Sequence, residues 1–422
     1  MSAVPPLLTI DRAAFRADID ALAAITDPAR PWTRRSFSPL FLEGRAYLAR
    51  RFAEAGLDVR IDPAGNLIGR WAAEDPAAPV LMTGSHSDTV PDGGRFDGIA
   101  GVAASLAAVR AMRAAGYRPR HTVEVVDFLA EEPSEWGLSC IGSRGMAGAL
   151  GPRELAMAGP GGEPLAAAID RIGGSVADLG SAKRSDVAAF VELHIEQGPV
   201  LETEGIPIGI VSGIVGIGRV RVRFAGVAGH AGTVPMAGRR DAGLAVARLL
   251  LAVRDGARAH PGNGHFTATV GVLRLEPGGA NVLPGAAEAI VDIRAEIDGA
   301  MTRFIEALSA MAAAAAEAEG CRVEAFEVVS RTTAAVCDPG LGADIAEAAR
   351  RLGLGTRPLA SGAGHDAAFL ARVAPSAMLF APSRVGKSHC PEEWTDPDAL
   401  ADAADVLLGT LMLRDAAFAP PA

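Results

Sequence analysis

A histidine and several aspartates lie close together in residues 84–102, GSHSDTVPDGGRFDGIAGV, directly after an apolar run. His86 and Asp88 stand two positions apart, so their side chains leave the same face of an extended chain. Asp97 follows in a loop flanked by glycine. Imidazole and carboxylate groups are ligands of Zn²⁺, Mn²⁺, Co²⁺ and Ni²⁺. One such pair does not by itself predict a metal site, and the prediction depends on whether other parts of the chain supply further ligands.

Four more titratable residues stand at the ends of other apolar segments. Glu131 and Glu132 follow HTVEVVDFLA, His194 lies near the end of VAAFVELHIEQG, and His389 lies in GKSHCPEE after SAMLFAPS. Burying several carboxylates without compensation is costly, and divalent cations would remove that cost. We therefore expect these residues to converge on a metal site.

The apolar segments that position these residues are nearly continuous rather than alternating, and helical patterns separate them. Such runs are typical of buried parallel strands covered by helices on both faces. Ligands collect beyond the carboxyl ends of strands in such sheets. The sequence therefore predicts an α/β protein with a mostly parallel sheet and a site at one edge of it.

The pattern changes between residues 212 and 330. GRVRVRFAG alternates valine and phenylalanine with arginine, the period of a half-exposed strand. The order of predicted elements from there is strand, helix, strand, strand, helix, strand, which is a ferredoxin-like βαββαβ unit. We expect a domain of residues 212–330 inserted into a discontinuous domain of residues 1–211 and 331–422.

Composition excludes several classes of protein. The 422 residues carry a formal net charge of −10, which opposes nucleic-acid binding because phosphates need a basic surface. No apolar run reaches the roughly 18 residues of a membrane span. No secretory signal is apparent, and the four cysteines are far apart without a CxxC pair. The sequence thus predicts a cytoplasmic protein with neither nucleic-acid nor membrane partners.

Seven motifs between residues 40 and 400 together resemble the hydantoinase/carbamoylase branch of the M20 metallopeptidase superfamily. The order of the motifs is also that of the family. They are GSHSDTVPDGGRFDGIAGV, FLAEEPSEWGLSCIGSRGMAG, ELHIEQGPVLE, GHAGTVPMAGRRDAG, ANVLPG, SGAGHDA and GKSHCPEEWT.

The resemblance implies two divalent metal ions per subunit, with Zn²⁺ the first choice and Mn²⁺, Co²⁺ or Ni²⁺ the alternatives. His86 and His194 resemble the terminal ligands of one ion, and Glu132 and His389 those of the other. Asp97 resembles the carboxylate that bridges both. A water between two such ions is acidified toward neutral pH.

The resemblance also implies roles in catalysis. Glu131 would be the general base, Asp88 would orient a histidine ligand, and His230 would donate a hydrogen bond to the oxyanion. Substrate contacts would come from Gln197, His230, Asn281, Arg294 and Gly364.

In the family, the inserted domain serves as lid and dimerisation surface, and His230 and Asn281 reach the site of the opposite subunit. We therefore expect a homodimer acting on a small ureido or amide substrate.

The function implied is hydrolysis of the ureido (N-carbamoyl) C–N bond of a small carboxylate, such as an N-carbamoyl-L-amino acid or allantoate. An M20-type dipeptidase or N-acyl-amino acid deacylase is the alternative within the enzyme class. A non-catalytic small-molecule-binding homologue is the alternative outside it. Pro133, Glu135 and Trp136 depart from the family's common EEGSRF pattern, so the substrate stays open.

Structural roles remain open for most of these residues. They are a turn cap for Asp88, a solvated neighbour of Glu132 for Glu131, turn formation for His230 and Asn281, a strand cap for Gln197, and an ion pair with Asp292 or Glu296 for Arg294. For His365 in SGAGHDA, the start of a helix and a place in a substrate loop are both open.

Overall fold

The computed structural model describes residues 6–260, 262 and 264–418. Strands in these residues are β1 (Asp58–Ile61), β2 (Leu67–Trp71), β3 (Val80–His86), β4 (Thr122–Phe128), β5 (Val187–Ile195), β6 (Ile208–Ile214), β7 (Gly216–Ala225), β8 (Gly229–His230), β9 (Phe266–Glu276), β10 (Val282–Leu283), β11 (Ala286–Ala295), β12 (Arg322–Arg331), β13 (Ala335–Val336), β14 (Thr356–Ser361) and β15 (Ser376–Ala381).

The α-helices of the same residues alternate with these strands over much of the chain. They are α1 (Arg12–Ala24), α2 (Pro39–Glu54), α3 (Ile99–Ala114), α4 (Ile141–Met146), α5 (Pro152–Leu155), α6 (Leu165–Arg171), α7 (Val200–Glu204), α8 (Ala242–Arg258), α9 (Asp298–Ala318), α10 (Pro339–Arg351), α11 (Ala367–Leu370) and α12 (Pro397–Ala417).

The larger sheet has the strand order β1-β2-β4-β3-β5-β15-β6-β13, and β14 pairs with β6. The central strands β4, β3, β5 and β15 pair in parallel, whereas β1, β2 and β6 pair antiparallel. β3, β4 and β15 are buried along their whole length, because apolar layers cover both faces of the sheet. The predicted α/β class with a mostly parallel central sheet is confirmed.

Helices on one side of this sheet share a single apolar cluster with it. The cluster contains Leu22 of α1, Leu106 of α3, Ile345 of α10 and Leu408 of α12, all fully buried. Burial of each such side chain contributes about 1.5–3 kcal/mol to folding. α3 begins two residues after Asp97, so this packing also fixes the loop that carries Asp97.

Helix starts follow from local sequence. The side chain of Asp338 accepts from the N–H of Leu341 at the start of α10, and Asp396 caps α12 in the same way. Proline occupies the first position of both helices, where its missing N–H costs nothing.

A second sheet has the order β12-β7-β11-β9 and is antiparallel throughout. Val220, Val222 and Phe224 of β7 are buried against α8 and α9, and the alternate residues of β7 are arginines. The elements β7-α8-β9-β11-α9-β12 therefore form the expected βαββαβ unit, with the small β8–β10 ladder added.

The chain divides into two compact units. The first comprises residues 1–212, 336–359 and 365–422, and the second comprises residues 213–335 and 360–364.

The bounds of the second unit differ from the predicted insert of residues 212–330. Residues 360–364 belong to it because Val215 donates to the carbonyl of Ser361 at 3.1 Å and Arg294 donates to that of Gly362 at 2.8 Å. These pairings join positions far apart in the sequence, so no local pattern could indicate them.

No helix of the described residues is long and apolar enough to cross a membrane.

Candidate metal centre and active site

The carboxyl ends of the parallel strands bring several of the predicted site residues together in the first unit. His86 is the last residue of β3, His194 lies in β5, and Glu131 and Glu132 follow β4 within four residues. His389 lies on a loop after β15. Parallel strands end at a common edge, which is why residues so far apart in sequence meet.

Asp97 lies at the middle of this group. One carboxylate oxygen, Oδ1, is 3.1 Å from His194 Nε2 and 3.4 Å from His86 Nε2. The other oxygen, Oδ2, is 3.1 Å from His389 Nε2. A carboxylate with its two oxygens turned toward separate ligand sets is arranged as a bridge.

The far nitrogens of the two buried histidines are held by oxygen atoms. His194 Nδ1 lies 2.9 Å from the carbonyl of Ile195, and His86 Nδ1 lies 3.0 Å from the carbonyl of Asp88. A carbonyl can only accept, so each Nδ1 carries the hydrogen in the neutral ring and each Nε2 presents a lone pair. Both lone pairs face Asp97.

Glu132 and His389 form the second set with Asp97. Glu132 Oε1 is 3.2 Å from His389 Nε2. The hydrogen bonds to Asp97 and Glu132 raise the pKa of His389 to about 11, and burial offsets this only in part. The chain turns sharply before the two glutamates because Ala130 has a positive φ of 51°.

Glu131 lies beside both sets without being part of either. It is 8% exposed, and its Oε2 is 3.6 Å from His86 Nε2. The thiol of Cys140 lies 3.6 Å from Oε1. Burial and the nearby charges of Glu132, Asp366 and Asp97 raise the pKa of Glu131 well above its usual value, with His86 opposing them. A carboxylate with a raised pKa is suited to accept and return a proton near neutral pH.

Asp88 links the histidine ligand to this glutamate. Its Oδ1 accepts from the backbone N–H of Glu131 at 3.2 Å and lies 3.5 Å from His86 Nδ1. Its Oδ2 is buried without a hydrogen-bond partner. Asp88 is thus placed beside His86, as an orienting role requires, while the N–H from which it accepts belongs to a distant segment and not to the turn that follows it.

The donor set fits two divalent cations. His86, Asp97 and His194 offer ligand atoms within 4.8 Å of one another, and so do Asp97, Glu132 and His389. Nitrogen and carboxylate donors of this kind suit Zn²⁺, Mn²⁺, Co²⁺ and Ni²⁺. Asp97, Glu131 and Glu132 are all buried in this site, and such a group of carboxylates needs positive charge nearby. In the described residues, no lysine or arginine side chain forms an ion pair with any of the three.

Gln197 contacts the centre through Asp97. Its Nε2 donates to Asp97 Oδ2 at 2.8 Å and also lies 3.1 Å from Ser388 Oγ. The structure thus places this residue at Asp97, while its predicted contact with substrate stays a prediction.

The remaining candidates lie in the second unit. The ladder of β8 and β10 pairs His230 with Val282, and the N–H of Ala231 donates to the carbonyl of Asn281, so His230 and Asn281 are neighbours. The Nδ1 atom of His230 accepts from the N–H of Gly232 at 3.1 Å. Both candidate side chains belong to exposed residues.

Arg294 and Gly364 also belong to the second unit. Arg294 donates from Nε to Asp292 at 3.0 Å and from one terminal nitrogen to the Gly362 carbonyl, so the weighed ion pair with Asp292 forms. Gly364 is exposed and lies two residues beyond that carbonyl.

Two buried polar residues beside the centre were not among the predicted site residues: His365, which was weighed only as a helix start or a substrate-loop residue, and Asp366. His365 is 2% exposed, and its ring centroid lies 4.6 Å from that of His194. Asp366 is fully buried and accepts from Ser143 Oγ at 2.5 Å. The motif SGAGHDA was the signal, but the buried position of both residues depends on packing that no local pattern reports. Glu393, in the motif of His389, was also not singled out.

The family described as Peptidase family M20/M25/M40 matches residues 82–413. The chain belongs to this family. All the residues of the two ligand sets lie within the matched span of the M20 model.

Relatives in the M20 family cover most of the chain. The ureidoglycolate hydrolase of Oryza sativa subsp. japonica is 35% identical over 414 residues, which are 94% of this chain and 84% of that protein. The N-carbamoyl-L-amino-acid amidohydrolase of Paenarthrobacter aurescens is 37% identical over 393 residues, 91% of this chain and 93% of that protein. The allantoate amidohydrolase of Bacillus subtilis (strain 168) is 33% identical over 369 residues, with 86% and 88% covered.

A solved structure agrees with these relatives. An amidase of the hydantoinase/carbamoylase family from Burkholderia multivorans is 33% identical, with a TM-score of 0.87 over 97% of this chain and 99% of that one. The resemblance to this branch of the M20 family is confirmed, and the chain is a hydrolase of the amidase type.

Proposed function

We propose that this M20 amidohydrolase cleaves the ureido C–N bond of a small carboxylate, such as an N-carbamoyl-L-amino acid or allantoate, with the help of two divalent metal ions. The observation that carries the proposal is Asp97, whose two oxygens face two separate sets of ligand atoms with Glu131 alongside.

The names of the relatives support the ureido bond as the target. Ureidoglycolate, N-carbamoyl-L-amino acids and allantoate all carry a ureido group on the carbon next to a carboxylate. A site that accepts this shared unit would leave the rest of the substrate to determine specificity.

His86, Asp97 and His194 would hold one ion, called the first ion below. Asp97, Glu132 and His389 would hold the other, called the second ion. Bound ions supply Lewis acidity and lower the pKa of water toward neutrality. Zn²⁺ is our first choice, and Mn²⁺, Co²⁺ and Ni²⁺ fit the same donors.

Glu131 would move the proton. Its carboxylate takes a proton from the attacking water as the new C–O bond forms at the ureido carbon. When the C–N bond breaks, Glu131 returns that proton to the leaving nitrogen. An N-carbamoyl amino acid would give the amino acid and carbamate, which decays to ammonia and carbon dioxide. Its buried position beside both ligand sets, 3.6 Å from His86 Nε2, suits it to both transfers.

His230 would stabilise the oxyanion. Because its Nδ1 accepts from Gly232, its Nε2 carries a hydrogen that it can donate as negative charge develops on the carbonyl oxygen. Asn281, Gln197 and Gly364 would contact the rest of the substrate. Arg294 would bind its carboxylate through the terminal nitrogen that Asp292 and Gly362 leave available.

We propose a homodimer formed through the second unit, with His230 and Asn281 serving the site of the opposite subunit. β9 is an edge strand of its sheet among the described residues, and Leu273 and Leu275 on it are 48% and 41% exposed. Leu251 of α8 is 53% exposed. A long edge strand beside exposed leucines favours association with a second copy.

A cytoplasmic location without nucleic-acid or membrane partners remains part of the proposal. The net charge of −10 supports it, and so does the finding that no disulfide joins any of the four cysteines, all of which lie in the described residues.

Replacing Glu131 by Gln tests the proton role. We expect turnover to fall by at least a factor of about 100, the lower range for general acid–base groups, while both ions stay bound. The assay follows ammonia release, with elemental analysis of the same sample, and Glu74→Gln on the surface is the control. Turnover near that of the wild type in Glu131→Gln would exclude Glu131 as the base.

The substrate is tested by assaying N-carbamoyl-L-amino acids, allantoate, ureidoglycolate, dipeptides and N-acetyl amino acids side by side on metal-loaded protein. Preference for the first three supports a ureido substrate. Preference for dipeptides or N-acetyl amino acids supports the alternative enzyme class. Inactivity on all of them would favour a non-catalytic binding protein.

A further inference from the structure

Glu393 is a buried carboxylate that joins two loops of the metal centre. Its Oε1 accepts from the backbone N–H groups of Phe96 at 2.7 Å and Asp97 at 3.1 Å. Its Oε2 accepts from Ser388 Oγ at 2.6 Å. One side chain thus holds both the loop of the bridging aspartate and the residue next to His389.

His389 needs such support more than the other ligands do. His86 and His194 lie in buried strands and are 1% exposed, whereas the His389 side chain is 49% exposed. Its residue lies on a loop and has a positive φ of 56°, which is an unfavourable backbone conformation for an L residue. Contacts within the loop must therefore keep its ring directed at Asp97 and Glu132.

The site of Glu393 is built closely around its carboxylate. Glu393 is 2% exposed, and a Cβ atom on Gly94 would overlap the carboxylate. Burying a carboxylate next to Asp97 is unfavourable, so a merely apolar packing role would be better served by a neutral residue. The three donated hydrogen bonds offset that cost and account for an acid at this position.

We propose that Glu393 is a positioning residue that fixes His389 relative to Asp97 and so sets the affinity for the ion held by Asp97, Glu132 and His389. The other ion, at His86 and His194, depends on it less because both of those ligands are held by strands and by carbonyl oxygens. This inference rests on the dinuclear centre of the proposed function.

The test titrates metal-free protein with Co²⁺ and follows visible absorbance, with stoichiometry from elemental analysis after gel filtration. Loss of an outer-shell partner usually costs about 10–100-fold in metal affinity. In Glu393→Ala we expect that loss for the second ion, while the first ion keeps its affinity within about threefold. In Glu393→Gln the amide oxygen can still accept from Phe96 and Asp97 and the amide nitrogen can donate to Ser388, so most of the affinity should return.

Two variants separate positioning from general destabilisation. Glu392→Ala removes the exposed neighbouring carboxylate and should bind both ions as the wild type does. Ser388→Ala keeps the bonds of Glu393 to the Asp97 loop and removes the link to the His389 loop, and it also removes the contacts of Ser388 Oγ with Gln197 Nε2 at 3.1 Å and with Asp97 Oδ2 at 3.4 Å. We therefore expect it to lower the affinity for the second ion more than that for the first, and it carries the test if Glu393→Ala does not fold.

Each outcome decides one question. Two ions bound with wild-type affinity in Glu393→Ala, or in Ser388→Ala where the former does not fold, would refute the positioning role. Equal weakening of both ions would refute it as well. A wild-type protein that binds no Co²⁺ would instead refute the proposed dinuclear centre itself.

Discussion

Asp88 offers a sharp test of how the first set of ligands is held. The residue is fully buried and contacts both His86 and Glu131. Replacing Asp88 by Asn keeps the size of the side chain and one carbonyl oxygen, and it removes the charge. We therefore expect an effect on metal affinity that is separable from an effect on folding.

The magnitude follows from the distances. His86 Nδ1 is closer to the backbone carbonyl of residue 88, at 3.0 Å, than to the carboxylate, at 3.5 Å. Asn would therefore leave the nearer acceptor in place, and only the longer electrostatic contact would be lost. We expect the low end of the usual outer-shell range, about tenfold in affinity for the first ion, or about 1.4 kcal/mol.

Asp88→Ala should do more than Asp88→Asn. Alanine also removes the acceptor of the Glu131 N–H, and a buried donor without a partner costs about 1–3 kcal/mol. We expect lower stability in urea and a lower turnover number, because the backbone of Glu131, the proposed proton carrier, is no longer fixed.

Competition with a chelator measures the affinity of each variant, and urea denaturation of the metal-free forms measures stability. Asp92→Asn is the matched control because Asp92 lies in the same segment, is 43% exposed and pairs with Arg30. Wild-type affinity in both Asp88 variants, or a larger loss in Asp88→Asn than in Asp88→Ala, would contradict this account of His86.

Two further predictions concern the backbone at the centre and the first unit as a whole. Gly98 has a φ of 65°, and a Cβ there would lie 2.5 Å from His86 Nε2. Gly98→Ala should therefore lower the affinity for the first ion by more than tenfold in the chelator assay. Gly116→Ala has the same backbone strain but nothing within 4 Å of the added Cβ, so this control should bind metal normally. Burial favours the neutral form of Asp415, but bonds from His121, Arg120 and Tyr117 outweigh it and lower its pKa. Its stabilisation is therefore complete above the unfolded pKa of about 3.9 and is lost as the pH falls through the lower folded pKa. Asp415→Asn should cost about 2–3 kcal/mol at pH 7 in urea denaturation, with the difference shrinking below about pH 4; a difference that does not change with pH would contradict the assignment.

The sequence indicates the parts of the centre that regular elements carry. His86, His194 and the pair Glu131 and Glu132 follow apolar segments, and the rule that ligands gather at the carboxyl ends of parallel strands suffices to bring them together. His389 is different, because it lies on a loop and only the resemblance of its motif singled it out.

Local sequence patterns do not indicate residues whose importance depends on long-range packing. Glu393 accepts from Phe96 and Asp97, about 300 positions earlier in the chain, and nothing near it signals that contact. The position of His121 at the start of an apolar segment predicts a surface residue, and this prediction is wrong, because the residue is 2% exposed and bonded to Asp415 of α12. Polar residues of this kind look ordinary in sequence because their partners come from distant segments.

The backbone of the centre shows where the fold holds unfavourable conformations. Ala130, Gln197 and His389 have positive φ values of 51°, 57° and 56°, each costing an L residue about 1–2 kcal/mol. Each turn serves a contact of Asp97 or its neighbours: the first precedes Glu131 and Glu132, the second brings an amide to Asp97 Oδ2, and the third directs an imidazole at the same oxygen. A fold that only needed stability would relax these turns and separate the buried carboxylates. Buried carboxylates held together by these three turns are what a cation-binding centre requires, because bound cations would offset the repulsion between the carboxylates.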